Sequence, residues 1–542
     1  MSQLPAMLAL ASLALCALGS SPSVGEGAFV RLGDAGRLVY SEFRGGDRVP
    51  DFSPVGYGGG GTPIPMVDEV VRIAPSASGG DDTARIQGAI NQLRSLEVGP
   101  DGFRGALVFE DGIYRIEGTL SVRVDGVVLR GAGSGPDGTV LVATGNRRRA
   151  LIEASGQFSP QAKWATLQPI IGDVFVGADT VTVADASIFS VGDAVLVHRP
   201  ASAQWITDIG MDAIPQREDG ESIEQWNPDT YTFNFERVVV AIEGDSLTLD
   251  APLPQRLEQR YGGGYVVKYS WPSRLRNIGI EGFRLVSEYE PGAEERDEQH
   301  ALDGIVIDKA ENGWVRDVIG RHFVESCVEL GREARFFTVE DCLNLDPVSR
   351  ITGSRRYSFH VIGQRNLVQR CATRGGRHDF VTGSRVEGPN AFVDCVALGT
   401  HEDIGPHHRW AMGILWDNID GGVIRVRNRA NRGTGHGWAG AQNVLWNCGG
   451  SNFVVQSPTG GWNLAIGCIG DRSRNEFDGE DGIYDHHGEH VHPRSLFIQQ
   501  ASERFGEDAV RSLFSDSQRV GNIADELRQR VGTEREGRDA SL

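Results

Sequence analysis

The feature that most constrains this chain is a repeated spacing. Asn366 and Cys371, Asn390 and Cys395, Asn443 and Cys448, and Asn463 and Cys468 each bracket four mostly apolar or alternating residues. The intervals between successive cysteines are unequal, the middle one fitting two turns, and 312–317 and 337–342 are weaker earlier copies. A period in the twenties with one short strand per copy is the signature of a solenoid. In a parallel β-helix, equivalent residues stack about 4.8 Å apart, so asparagines can hydrogen-bond along the axis while thiols fill the core. Cys327, Cys342, Cys371, Cys395, Cys448 and Cys468 are therefore expected as buried free thiols, with disulfides between neighbouring turns as the competing reading for an exported chain. Metal ligation is disfavoured because no C-x-x-C spacing occurs. Helical bundles fit poorly, because the apolar runs over 275–470 are short, β-branched and punctuated by Gly and Asn.

Residues 1–21 have the form of an export signal, with an uncharged apolar run over 4–18 followed by Gly19, Ser20 and Ser21. The run is too short to span a membrane. The expected location is secreted or periplasmic. Cys16 sits in a lipoprotein-like context, but Leu15 is larger than the small residue usual before a lipidated cysteine. A net charge of −20 argues against generic binding to nucleic acid or anionic membranes.

After an N-terminal extension (22–75), residues 76–160 begin with an amphipathic helix from Gly79, capped by Asp and Thr. Strands with Gly turns at 105–109 and 126–133 follow. GDDTARIQGAI, GALVFEDGIYRI and GVVLRGAG together resemble the first turns of the pectate-lyase-like, right-handed parallel β-helix superfamily. That resemblance implies an all-β solenoid closed by a structural N-terminal capping helix, so Asp81 and Asp82 are not expected to be catalytic. Residues 161–270 interrupt the repeat with hairpins around a loop carrying Trp205, Met211, Trp226, Tyr231 and Phe233, expected as a small inserted β domain. Its loop either covers the cleft or packs on the solenoid. The main β-helix is expected over 271–500 and a helical tail over 501–542, polar and disordered after Val531. A closed solenoid buries its core without a partner, so a monomer is expected.

Chemistry concentrates between Arg350 and Gly440. This segment holds thirteen Arg and seven acids, a local excess of six positive charges. GGRHDF (375–380), GPHHRW (405–410) and GTGHGW (433–438) lie within it. A basic, His-rich strip on an acidic protein points to an anionic ligand. His378, His407 and His436 are evenly spaced along the chain and would stack if every turn matched that interval.

Members of the superfamily that act on acidic polysaccharides often use β-elimination, and this strip contains the parts. Arg374, Arg377 and Arg409 are candidate carboxylate clamps, since the guanidinium fork matches a carboxylate. His408 is the preferred base, His436 or His378 the acid, and Trp410, Trp438 and Tyr357 are candidate walls for sugar rings. His407 and Asp417 complete the substrate-binding set. The calcium-site carboxylates and catalytic-Arg segment of pectate lyases are not recognisable, so no cofactor is expected, with calcium as the alternative.

The main alternative is an inverting hydrolase using Asp379, Asp403, Asp417 or Asp420. Gly435-His436-Gly437 resembles the GHG element of polygalacturonases, but Asp417 and Asp420 do not form that family's adjacent aspartate pair. Uronate epimerisation and a non-catalytic carbohydrate-binding adhesin are further alternatives. The acid- and His-rich stretch at 478–492 matches no defensible metal-ligand spacing and is expected as a solvated loop.

Overall fold

The computed structural model describes residues 25–200 and 202–534. The expected export signal, Cys16 and the tail beyond Glu534 lie outside those residues.

The main body is a parallel β-helix of three sheets. The first sheet carries the column Gly279, Trp314, Thr338, Leu367, Ala391, Leu415, Val444, Leu464 and Ile483, one residue per turn. Turn length varies along this column. Leu367, Ala391 and Leu415 follow one another at equal intervals, the step to Val444 is longer, and the step to Leu464 is shorter than either. The second sheet follows after a single-residue bend. The third sheet includes Tyr357–Val361, His378–Thr382 and Asp403–Pro406.

That bend explains the repeat. Gly282, Asp317, Asp341, Arg370, Asp394, Asn418, Asn447 and Gly467 occupy equivalent positions, and all have positive φ. Left-handed backbone costs an L residue about 1 kcal/mol or more and is least costly for Gly, Asn and Asp, which fill seven of the eight positions. The next residue points inward. There Cys342, Cys371, Cys395, Cys448 and Cys468 stack, with Ile419 filling the gap. These five cysteines are buried free thiols, as is Cys327, which lies outside this column ahead of Val328–Leu330.

Four residues before each bend, the asparagines form a second ladder. Asn366 Oδ1 accepts from Phe337 N–H (3.0 Å), and Asn390 Oδ1 from Asn366 N–H (2.8 Å). Asn443 Oδ1 accepts from Ile414 N–H (3.0 Å), and Asn463 Oδ1 from Asn443 N–H (3.0 Å). Each amide donates back to a carbonyl of the preceding turn or its corner. Asn312, expected as an earlier copy, is not a rung of the ladder. Gly313 pairs with Phe337, so Asn312 stands one residue outside the ladder and donates to Asn277 instead (2.5 Å).

The open end of the solenoid is closed by α1 (Thr83–Gln92), which sets Ile86 and Ile90 on the core beside Leu107 and Leu120. Asp81, rather than the N-cap residue Asp82, accepts from Thr83 N–H (3.0 Å) and Glu117 N–H (3.0 Å).

Between Ser155 and Leu275 the chain builds a separate antiparallel sheet, with Ala194–Arg199 between Phe233–Glu243 and Tyr265–Ser270, and α2 (Ala203–Asp208) beside it.

The C-terminal segment forms α3 (Leu496–Phe505), α4 (Glu507–Leu513), α5 (Asp516–Val520) and α6 (Ile523–Thr533). Leu496, Phe497 and Ala501 cover the first sheet at Leu415, Val444 and Trp446. Ile523, Leu527 and Val531 cover the second at Leu343, Ala372 and Val396. The histidines emerge on the third sheet and the loops that follow it.

Replacing one rung should be felt by the whole stack. Asn443→Ala removes the bond from Ile414 N–H and those to Ala411 O (3.2 Å) and Asn463 Oδ1 (3.1 Å). It should cost about 2–4 kcal/mol, because buried partners are left unsatisfied, measured as a fall in the urea midpoint with an unchanged slope.

Candidate functional site

His378 opens a third-sheet strand, His407 follows the next, and His436 comes from the loop between Val426 and Gly440. They do not share a column, because the turns here are shorter than the interval between the histidines. Val381 pairs with Gly405, and Asp403 with Val423, so each turn closes before the next histidine is reached. The rings nonetheless meet. Centroids lie 4.2 Å apart for His378–His407, 5.5 Å for His407–His436 and 4.8 Å for His408–His436. The Tyr357 ring is 5.4 Å from both His378 and His407.

Beyond the rings lies a cleft of about 740 Å³, lined by seven arginines (217, 377, 425, 427, 429, 432 and 474) together with Glu402, Glu476 and Gly433. Arg425, Arg427 and Arg429 alternate along the end of a strand and its extension, so a period of two aims all three at the same side. In the sequence they are three of the strip's thirteen arginines, and only their alternation sets them apart.

The pair His378–Asp403 anchors the cluster. His378 is 1% exposed, and its Nδ1 lies 2.7 Å from the Asp403 carbonyl and 3.0 Å from Oδ1. Arg427 Nη2 donates to Asp403 Oδ2 at 3.2 Å. Burial alone would raise the Asp403 carboxyl, but His378, Arg429 and Arg427 hold it far below its ordinary range. Arg429 Nη1 donates to the His407 carbonyl (2.5 Å) and lies 3.0 Å from its ring Nε2.

Burial first, then Arg429, pushes His407 well below the ordinary imidazole value. Burial and His436 do the same to His408. His436 is lowered to about 3 by burial, with Arg429 the next cause. All three imidazoles are neutral at neutral pH. His378 Nε2, His408 Nδ1, His436 Nδ1, Arg377 Nη1, Thr382 Oγ1 and Ser384 Oγ are buried without a hydrogen-bond partner. Buried polar atoms are nearly always satisfied, so this concentration marks a place where polar atoms from outside the chain belong.

His378, Asp403 and His407 also bring possible ligand atoms within 4.8 Å of one another. They fit a metal poorly. The Asp403 carboxylate and the His407 ring already face Arg427 and Arg429, and a dication would sit against both guanidiniums. Two imidazoles and one carboxylate are also unlike the oxygen cages calcium takes. At 478–492, His486 faces Asp485, while His487 and His490 face backbone carbonyls.

Several expected site residues lie elsewhere. Trp410 and Trp438 are 1% and 5% exposed and present no face to a ligand. They pack with Trp205, Met211 and Trp226 of the inserted domain, their indoles donating to Gln255 (2.9 Å) and Ile209 O (3.1 Å). The aromatic loop thus packs on the solenoid, while its Arg217 reaches the cleft and donates to Gly433 O (3.2 Å). Arg409 fastens the neighbouring loop through Thr434 Oγ1 (2.5 Å) rather than standing free as a clamp. Arg374 belongs to the second sheet, bound to Asp346 and to the Val531 and Glu534 carbonyls under α6. Asp417 points away under α3, accepting from Ser495 Oγ (2.8 Å) and Phe497 N–H (2.7 Å). Asp420 pairs with Arg528, and Asp379 is fully buried.

No family model matches the chain, and no curated protein matches it. Among solved structures it is similar to the tailspike protein gp49 from Pseudomonas phage LKA1 (12% identity, 72% of this chain and 70% of that one, TM-score 0.39). It is similar to an alginate lyase from Paenibacillus sp. str. FPU-7 (9%, 77% and 98%, TM-score 0.35). A third is a 1,3-alpha-1,4-beta-D-galactose-4-sulfate-3,6-anhydro-D-galactose-2-sulfate 4 galactohydrolase (8%, 80% and 90%, TM-score 0.37). Likenesses this distant bear on neither reaction nor substrate, which have to be read from the site's own residues.

The buried imidazoles make stability pH-dependent with a definite sign. Below the unfolded value of 6.5 the unfolded chain binds a proton at His436 that the folded chain refuses until about 3, so this contribution falls as pH drops through that window. Asp417 and Glu387, both raised to about 7 by burial, act in the opposite sense. The comparison is therefore with a variant: below about pH 6.5, wild type should lose stability more steeply than His436→Gln in urea titrations.

Proposed function

We propose that the protein is a lyase that cleaves an acidic, uronate-containing polysaccharide by β-elimination. The observation that carries this reading is that neutral, partly exposed His408 and His436 pack beside His407, which Arg429, one of the seven arginines lining the neighbouring cleft, contacts directly. Elimination requires the uronate carboxylate to be neutralised, the C5 proton removed and the departing O4 protonated. Arg377, with an unpartnered Nη1, and Arg429 stand where they can hold the carboxylate, and fixed positive charge at the developing enediolate stabilises the transition state directly.

His408 takes the C5 proton and, as imidazolium, returns it to O4, with His436 beside it to share the charge. The uronate's own negative charge offsets the surrounding guanidiniums and raises these imidazoles toward the working range. Binding thereby strengthens the base. Tyr357 and the His378–Asp403 pair hold the cluster's inner wall. The chemistry routes no step through a metal.

A second reading rests on Glu402 and Glu476, the carboxylates that line the cleft, as an acid–base pair for hydrolysis. Glu476 is already paired with Arg432 and Arg427, which hold it ionised and without a proton to donate.

On a panel of polyuronates and glycosaminoglycans, the protein should generate the ultraviolet absorbance of the unsaturated uronate. His408→Ala should lower that rate by about 10²–10⁴-fold and Arg429→Ala by about 10²-fold, while a chelator leaves it unchanged. New reducing ends without absorbance would replace elimination with hydrolysis, and binding without turnover would leave a carbohydrate-binding protein.

A further inference from the structure

The inserted domain carries aromatic side chains that the elimination chemistry does not use. Trp164, in a short turn beside the sheet, is 64% exposed, unlike the buried tryptophans that join this domain to the solenoid. Its ring lies 6.3 Å from Tyr265, and Tyr265 stacks on His198 at 4.4 Å with an interplanar angle of 18°. Tyr265, His198 and Asn234 are paired across three adjacent strands, so they form one row on one face. His198 Nδ1 lies 2.8 Å from Asn234 Oδ1. The same face is packed against the solenoid farther along, where Tyr269 and Arg274 meet Glu236, but stays open at this row.

The row also leads to the histidine cluster through direct contacts. Asn234 N–H donates to Glu387 (3.2 Å), and the Asn234 carbonyl accepts from Gln364 (3.2 Å). Glu387 follows the turn at Ser384 and Arg385, over which exposed Arg332 donates to the Ser384 carbonyl (2.7 Å). Arg385 N–H in turn donates to the Arg409 carbonyl (2.7 Å), next to His408.

We propose that Trp164, Tyr265 and His198, with Asn234, form a second, non-catalytic carbohydrate site that holds further sugar units of the same acidic polysaccharide outside the cleft. The apolar faces of pyranose rings lie on the exposed aromatic surfaces, Asn234 offers hydrogen bonds to hydroxyls, and Arg332 supplies positive charge on the path between the two sites. Exposed aromatic groups of this kind mark binding surfaces, because their rings bring large contact area with a polar edge. The identity of the polymer rests on the proposed function; the existence of the platform does not.

The test is native affinity electrophoresis in gels cast with alginate, polygalacturonate or hyaluronan. It compares wild type, Trp164→Ala/Tyr265→Ala, Trp164→Phe and His408→Ala, with far-ultraviolet dichroism to verify folding. Wild type should be retarded in at least one gel, and the double variant should bind about five- to ten-fold more weakly. Trp164→Phe should restore most of the retardation, while His408→Ala keeps it. With polymer as substrate the double variant should raise KM and spare kcat, whereas turnover of a trimer should not change. Equal retardation of wild type and double variant, or no retardation of wild type in any gel, overturns the platform. Retardation that depends on Trp164 without any unsaturated product supports the platform and rejects the lyase reading alone.

Discussion

The single left-handed residue that recurs once per turn is the constraint on which the rest of this molecule depends. It swings the chain from the first sheet into the second within one residue and points the following side chain inward. Because this corner has no length to vary, the Asn ladder before it and the thiol column after it stay in register through turns of unequal length. All the variation is displaced to the other corners. The loops after the third sheet absorb it, and there the chain places His407, His408 and His436. A rigid column thus supports an irregular site, the usual division between scaffold and loop.

The site's electrical character follows from packing its imidazoles against guanidiniums. Imidazoles buried or half-buried among arginines lose their protons, and the one carboxylate among them, Asp403, is held ionised by His378, Arg429 and Arg427. The resting cluster therefore has an excess of positive charge and unpartnered polar atoms, which an anion carrying hydroxyls satisfies. A bound carboxylate changes the proton affinity of the groups that would act on it, so recognition and activation become the same electrostatic event.

Much of the fold was legible because it is repetitive. Asn366, Asn390, Asn443 and Asn463 announce the ladder, and the cysteines announce the core column, since each demands the same environment turn after turn. Asn312 misled because an asparagine suits a left-handed bend as well as a ladder, and only the pairing of Gly313 with Phe337 separates the two. The site was legible by neighbourhood but not by role. His378, His407, His408 and His436 do converge, yet Trp410 and Trp438 serve the domain junction, and Arg374 and Asp417 serve the C-terminal helices. Spacing along the chain cannot reveal an inserted domain's packing surface, or a helix that returns to Asp417 from far along the sequence. Arg425, Arg427 and Arg429 were visible as an alternation, but their importance emerges only once the cleft they line exists.

The most direct test of the central claim is the protonation state of His408 and His436, followed by their ring-proton NMR signals across pH, assigned with His→Gln variants. The account predicts that both imidazoles are neutral at neutral pH in the free protein and shift measurably toward the protonated form when a uronate trimer is bound to the His408→Gln or His436→Gln background that leaves the other ring observable. Imidazoles already protonated without ligand, or indifferent to the bound uronate, would contradict it.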